Sequence, residues 1–225
     1  MRIPLMIVAA LVAGNLMADA SQTGDASWVS RFAVDMSELG PTGRNDYFIL
    51  EPGHASSYAA GDERLVVTVL DETKPVDGVT TRVVEERETK GGRLVEVSRN
   101  YFAISSKSGD VFYFGEEVDI YRDGKVVDHE GAWQSGQQGA RFGLMMTAAP
   151  RLSQKYYQEV APKIAMDRAA VVALHELVRT PAGEFRDCVK VEETTPLEPG
   201  AREYKYYAKG VGLVQDGSLK LVKGR

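Results

Sequence analysis

The sequence predicts a mainly β protein: a curved antiparallel meander, barrel-like or a half-barrel, with a short helix and a glycine-rich flap. Two observations favour this class. Runs rich in Val, Ile, Tyr, Phe and Thr recur along the chain, and tight-turn signals such as Asp-Gly separate them. Roughly ten short strands of this kind must close into a barrel or bring two sheet faces together, because an open flat sheet leaves its edges unpaired.

The first 20 residues have the layout of a secretory signal peptide. Arg2 supplies a positive charge, residues 3–17 are mostly apolar, and Ala18-Asp19-Ala20 forms a small-x-small cleavage site. We therefore expect cleavage after Ala20 and a single β-rich domain over residues 21–225, located in the periplasm or outside the cell. The apolar stretch is shorter than the roughly 20 residues that a membrane-spanning helix needs, and no later stretch is apolar enough to span.

The composition narrows the classes of protein further. The chain of 225 residues carries 27 Lys and Arg against 32 Asp and Glu, and its basic residues do not cluster, which argues against nucleic-acid binding. Hydrophobic residues make up 44% and charged residues 26%, the balance of a packed globular domain rather than a disordered chain. Cys188 is the only cysteine in the sequence, so no intramolecular disulfide can form and the fold must rest on its core.

The first half of the domain predicts a meander over residues 64–127. Asp77-Gly78 and Asp123-Gly124 each lie between two strand-like runs. A type I′ hairpin turn needs positive φ at both central residues, which Asp-Gly provides. Glycine-rich turns at residues 90–92 and 108–110 separate the other strand-like runs.

The second half is less regular. Residues 131–150 contain many glycines and predict a long loop or a flap over the sheet. Good helix formers favour a short helix at residues 153–160, whereas residues 171–179 read as a strand that enters a Pro-Ala-Gly turn. A closing set of strands follows over residues 203–222.

Aromatic side chains concentrate in a few of these strands and would line the concave face of a curved sheet. The interior of such a barrel is either filled or hollow, and a hollow one suits an apolar ligand such as a lipid tail. Our first hypothesis is a non-enzymatic binding module for an apolar or amphipathic ligand, or for an envelope protein partner. The candidate ligand-binding residues are Tyr113, Glu117, His129, Trp133, Tyr156 and Tyr206.

A second hypothesis is a metal-binding module in the acidic hairpin over residues 116–130. Counted from Asp119, the sequence meets the calcium-loop template at positions one, five, six and twelve. Position three is Tyr121, and the flanking residues are not helical, so an Asp-Gly hairpin explains the same residues without a metal. No cofactor is expected apart from the calcium ion that this hypothesis would place on the candidate ligands Asp119, Asp123, Asp128 and Glu130.

The same hairpin suggests a third hypothesis, a hydrolase that uses paired carboxylates. If the strands pair evenly around the turn, Asp119 faces Asp128 and Glu117 faces Glu130. Facing carboxylates are unfavourable unless a cation, a proton or an arginine lies between them. Glu117 and Glu130 would then be the acid and the base. Charge on an edge strand also serves as protection against unwanted strand pairing, which is the alternative explanation.

Five segments resemble a group of uncharacterised exported bacterial proteins: residues 113–121 (YFGEEVDIY), 124–126 (GKV), 129–133 (HEGAW), 180–185 (TPAGEF) and 207–214 (YAKGVGLV). The resemblance implies export and a β-rich fold, and it carries no activity. A looser similarity in fold alone is to the half-barrel lipid carriers of the periplasm, of the LolA type.

Overall fold

The computed structural model describes residues 27–224, and their structure is mainly antiparallel β. The predicted signal peptide and its cleavage site lie outside the described residues. The helical structure within the described range is a single 3-10 turn, Met36–Glu38. The strands of that range are β1 (Leu39–Gly40), β2 (Ala55–Ala60), β3 (Glu63–Val76), β4 (Val79–Lys90), β5 (Arg93–Ser105), β6 (Val111–Arg122), β7 (Lys125–Asp128), β8 (Trp133–Gln134), β9 (Arg141–Met146), β10 (Lys155–Tyr157), β11 (Glu159–Val160), β12 (Arg168–Thr180), β13 (Gly183–Thr194), β14 (Arg202–Ala208), β15 (Gly212–Asp216) and β16 (Leu219–Gly224).

The strands form a nearly closed, barrel-shaped sheet, as the sequence predicts. The sheet runs in the order β10-β12-β13-β14-β15-β16-β2-β3-β4-β5-β6-β9-β11. Its two end strands, β10 and β11, are separated in the chain by Gln158 alone. One short stretch of chain therefore joins both ends of the sheet, and we call residues 155–160 the seam.

The tight turns form where the sequence predicts them. Asp77 and Gly78 have φ values of 49° and 79°, and Asp123 and Gly124 have values of 51° and 75°. Both central residues of each turn are thus left-handed, as a type I′ turn requires. The long hairpins β3–β4 and β12–β13 and the closing strands β14–β16 follow the predicted meander.

The short helix predicted at residues 153–160 is wrong, because this segment contains strands β10 and β11 of the seam. Tyr156 pairs with Ala169 of β12, and Glu159 pairs with Phe142 of β9. The backbone groups of the seam thus gain partners on both edges of the sheet, and this tertiary pairing overrides a weak local helix propensity. The strand predicted at residues 171–179 is confirmed as part of β12.

The glycine-rich segment over residues 131–150 is partly built into the sheet. Strand β9 pairs with β6, and β8 also pairs with β6 nearer the hairpin, while a tight turn around residues 136–140 lies between them. Of the 20 residues of the expected flap, 2 thus lie in β8 and 6 lie in β9, the strand next to the seam.

Two clusters of buried side chains fill most of the interior. The larger one gathers residues from β3 to β6, β9 and β12 to β14 around Tyr101 and Phe114, both at most 1% exposed. The smaller one packs Val178 and Cys188 near Tyr58 and Leu221. Within the part of the chain that the structure describes, no helix has the length and apolar character needed to cross a bilayer.

Candidate functional site

A half-open cavity of about 150 Å³ lies within the barrel-shaped sheet. Strands β2 to β6 contribute mainly apolar and aromatic side chains to its lining, and β11 and β13 to β15 contribute most of the charged ones. Because β3 to β6 are neighbours in the sheet, and β13 to β15 are also neighbours, the cavity has an apolar wall and a charged wall.

The apolar wall is built around two stacked aromatic rings. The ring centroids of Phe102 and Tyr113 lie 4.8 Å apart, and Phe48 packs edge-on against Phe102 at 5.1 Å. The Tyr113 hydroxyl donates a hydrogen bond of 2.7 Å to Oδ1 of Asn100, which satisfies its polar end without water. This wall therefore presents an aromatic surface that is fixed in position.

The charged wall is centred on Lys205 of β14. Asp216 lies directly opposite Lys205 on β15, and Glu193 of β13 lies diagonally across from it. The Lys205 Nζ is 2.9 Å from Oε2 of Glu193 and 3.6 Å from Oδ2 of Asp216. The three side chains are only 10–14% exposed, so water screens these contacts weakly.

The two carboxylates keep Lys205 charged. Burial disfavours the ammonium, but the negative charges of Asp216 and Glu193 outweigh burial, and the pKa of Lys205 is well above its ordinary value. Glu193 is itself held in place by Gln158 of the seam, whose Nε2 donates a hydrogen bond of 2.7 Å to Oε1.

A second pair of carboxyl groups, Glu159 and Asp167, lines the same cavity. The backbone N–H of Asp167 donates a hydrogen bond of 2.5 Å to Oε1 of Glu159. Burial and the Asp167 carboxylate raise the pKa of Glu159 well above its usual range. Burial and the Glu193 carboxylate likewise raise the pKa of Asp167 to about 6. This pair therefore retains a proton at a pH at which exposed carboxyl groups are ionised.

Glu203 lies two residues before Lys205 on the same face of β14 but does not line the cavity. Burial, with a smaller effect of the Asp216 charge, raises the pKa of the Glu203 carboxyl to about 7. An acid whose pKa is raised on folding binds more protons in the folded state than in the unfolded state. Its contribution to stability therefore decreases as the pH rises from the unfolded to the folded pKa.

We expect the free energy of unfolding to decrease between pH 4.5 and pH 7, and the Glu203→Gln variant to show a flatter decrease. Gln cannot ionise, so the variant loses the contribution of Glu203 to the pH dependence. Urea unfolding at pH 5, 6, 7 and 8 measures the slope. Glu198→Gln, in an exposed turn, is the matched control and should retain the wild-type slope; equal slopes in Glu203→Gln and wild type would contradict the assignment.

The candidate ligand-binding residues are only partly brought together. Tyr113 lines the cavity, and Trp133 packs edge-on against Tyr113 with ring centroids 5.2 Å apart. Tyr156 is fully buried in the larger core. Glu117, His129 and Tyr206 do not line the cavity: Glu117 forms an ion pair with Lys74, and His129 is exposed on the hairpin.

The register predicted for the acidic hairpin is wrong. Tyr121 pairs with Val126 as expected, but a bulge after Ile120 places Asp128 opposite Ile120 rather than Asp119. Glu130 lies beyond the end of β7, so it does not pair with Glu117. The bulge therefore relieves the repulsion on which the metal and hydrolase hypotheses were based.

Other interactions occupy the acidic groups of this hairpin. Asp128 accepts hydrogen bonds from the backbone N–H groups of His129 and Glu130, and His129 Nδ1 is 3.0 Å from Oδ1 of Asp119. Asp123 forms the turn. Over residues 27–224, no group of three or more His, Cys, Asp or Glu side chains is arranged to hold a metal ion. The calcium ligands Asp119, Asp123, Asp128 and Glu130 stay a prediction.

The Lys74 ammonium donates a hydrogen bond to Glu117 and lowers the pKa of that carboxyl. A carboxylate held ionised in this way is unsuited to donate a proton as a general acid. Burial raises the pKa of the Cys188 thiol, which keeps it protonated and poorly nucleophilic. The hydrolase hypothesis stays a prediction without support from this geometry.

Sequence reasoning missed the charged wall. In Glu203-Tyr204-Lys205-Tyr206-Tyr207, alternation suggests that Tyr204 and Tyr206 face the interior and that Lys205 faces solvent. The structure has the opposite orientation: Tyr204 and Tyr206 lie on the other face of β14, under the Lys190 ammonium at 4.2 Å and 5.4 Å. The sequence signal for the charged wall is the alternation in β13, in which Val189, Val191 and Glu193 occupy every second position. All three side chains are buried in the structure.

Fold and site together define a class of protein, a nearly closed antiparallel barrel-shaped sheet with an internal cavity that has one apolar and one charged wall. Comparisons with protein-family models, with curated proteins and with solved structures find no match for this chain. Its function is therefore argued from the cavity.

Proposed function

We propose that the protein is a non-enzymatic binding protein that takes a small apolar or amphipathic ligand into the interior of its sheet. The observation that supports the proposal is the cavity of about 150 Å³, with the Phe102 and Tyr113 rings on one wall and the Lys205 cluster on the other. Concave sites of this kind, mostly apolar with a few placed polar groups, are typical of small-molecule binding. From the predicted export, we propose that this binding occurs in the periplasm or outside the cell.

The volume limits the size of the ligand. A cavity of roughly 150 Å³ in a protein core is large enough for benzene. The part of the ligand that enters the cavity is thus about the size of one aromatic ring or a short branched chain. A complete diacyl lipid is too large, so a lipid could place only the end of one chain here.

Filling the cavity should weaken binding. Val67 lines the cavity and packs against both core clusters, whereas its neighbour Val66 faces outward and is 39% exposed. We expect Val67→Phe to weaken binding of benzyl alcohol, a neutral probe of one ring, at least tenfold. The matched variant Val66→Phe should change the affinity less than twofold.

Protein-observed NMR titration at pH 7.5 gives both affinities. Trp133 fluorescence in a Trp28→Phe background is a second readout, because Trp133 contacts Tyr113 and the sequence has two tryptophans. If the wild type binds neither benzyl alcohol nor another probe of one ring, or if Val67→Phe binds benzyl alcohol as the wild type does, the proposal is wrong. Docking of an envelope protein partner would then be the better interpretation.

A further inference from the structure

The charges that line the cavity are strongly unbalanced. Glu159, Asp167, Glu193 and Asp216 contribute carboxyl groups to the charged wall, and Lys205 contributes one ammonium. Two of these four carboxyl groups, Glu193 and Asp216, already share Lys205. Elsewhere in the lining, Glu86 and Glu116 add two carboxyl groups, and His54 adds a second basic side chain besides Lys205.

Several buried polar atoms on the charged side of the interior have no hydrogen-bond partner within the described chain, including Oε2 of Glu203, which does not line the cavity, and two others. Oδ1 of Asp167, on the cavity lining, is one of these two. The other is the hydroxyl of Tyr156, a side chain that is 1% exposed and interacts electrostatically with Glu193. Buried polar atoms without partners are costly in a native protein, and a bound ligand or ordered water is the usual remedy.

We propose that the ligand of this cavity is a small amphipathic cation, an amine with an apolar group about the size of one ring. The apolar group packs against Phe102 and Tyr113, and the protonated amine donates hydrogen bonds to the charged wall at Asp167. This inference rests on the proposed binding function and adds the charge of the ligand to it. The amine supplies both the missing positive charge and the missing donors.

Metal ions are a poorer match for the same wall, because the described residues present no group of three His, Cys, Asp or Glu side chains with metal-holding geometry. An organic anion is also disfavoured, since it would add a negative charge next to Glu159, Asp167 and Glu193 in a region of low dielectric. A cation with donors on one end and a ring on the other matches both walls.

The arrangement also gives binding a defined pH dependence. Without ligand, the raised pKa values of Glu159 and Asp167 favour a bound proton on this pair. The charge of Glu116 raises the pKa of Glu159, that of Glu193 raises the pKa of Asp167, and that of Lys205 lowers it. A bound amine replaces that proton, so binding releases it and tightens as the pH rises through about 6, the pKa of Asp167. The neutral probe benzyl alcohol, which replaces no proton, should lack this dependence.

The test compares three probes that share a phenyl ring: benzylamine, benzyl alcohol and benzoate. At pH 7.5 we expect benzylamine to bind at least tenfold more tightly than benzyl alcohol and benzoate to bind most weakly, with affinities measured by NMR titration. Benzylamine should also bind more weakly at pH 5. If benzyl alcohol or benzoate binds as tightly as benzylamine, the inference on charge is overturned while the binding function stands. If none of the three binds, both proposals are overturned.

A pair of variants locates the amine. Asp167→Asn removes the negative charge of Asp167 from the cavity lining. We expect this variant to weaken benzylamine binding at least tenfold, while the affinity for benzyl alcohol changes less than twofold. Glu203→Gln removes a partly buried carboxyl near Lys205 on β14 that does not line the cavity, so it should change benzylamine binding less than threefold. Benzylamine affinity that is unchanged in a folded Asp167→Asn protein would overturn the assignment of the amine to this residue.

Discussion

Replacing Lys205 by Met is expected to lower the free energy of unfolding by about 3–5 kcal/mol at pH 7.5, as for other buried ion pairs that lose one partner. Met retains the length and the apolar stem of the side chain but removes the ammonium. Glu193 and Asp216 are then two carboxylates facing the same interior without their shared cation. Urea unfolding followed by circular dichroism measures the loss.

Two comparisons separate this effect from a general effect of substitution. Lys220→Met removes an exposed lysine on β16 and should change stability by less than about 0.5 kcal/mol. Adding Glu193→Gln and Asp216→Asn to Lys205→Met should restore part of the loss, because no uncompensated charge is then buried. A loss that the two added substitutions leave unchanged would contradict this explanation.

Gly143→Ala should destabilise the protein by about 3 kcal/mol, at the upper end of the usual cost of overpacking. Gly143 lies in β9, where a Cβ atom would come within 2.5 Å of the Tyr157 carbonyl oxygen and would also clash with the Gln158 carbonyl. These atoms are backbone of the seam, so they cannot rotate away as the end of a side chain can. The substitution must push the seam from β9 and open the sheet.

Gly40→Ala is the matched control for this prediction. Gly40 lies in β1 and has an extended backbone, and a Cβ atom there would meet nothing within 4 Å. We expect its thermal midpoint to match that of the wild type, and that of Gly143→Ala to be lower by several degrees. Hydrogen exchange should show faster opening at residues 155–160 in Gly143→Ala. Equal midpoints for the two variants would show that the seam does not depend on close approach at Gly143.

The position of the seam links these predictions to the proposed binding. Gln158 holds Glu193, and Glu159 pairs with Asp167, so the segment that joins the two ends of the sheet also supplies part of the charged wall. A substitution that loosens the seam should therefore weaken binding of benzylamine as well as lower stability.

Local signals in the sequence were sufficient to predict the antiparallel meander. Each Asp-Gly turn has its own conformational preference, and the flanking β-branched and aromatic runs need only pair with the next run along the chain. The helix predicted at residues 153–160 was wrong, and the register of the acidic hairpin was also wrong, because both depend on partners distant in the chain or on a bulge. A single bulge after Ile120 moves Asp128 away from Asp119, and the local residue types do not indicate this bulge.

The sequence by itself determined the mainly β class, the turns and one cavity residue, Tyr113, because each of these follows from residue type and short-range spacing. Only the tertiary structure decided how the sheet closes and which face of β14 points inward. Lys205 faces the interior because Glu193 and Asp216, on the strands either side of it, supply the charges that make burying an ammonium tolerable. Those three residues come from different strands, so the site exists only when the strands lie side by side.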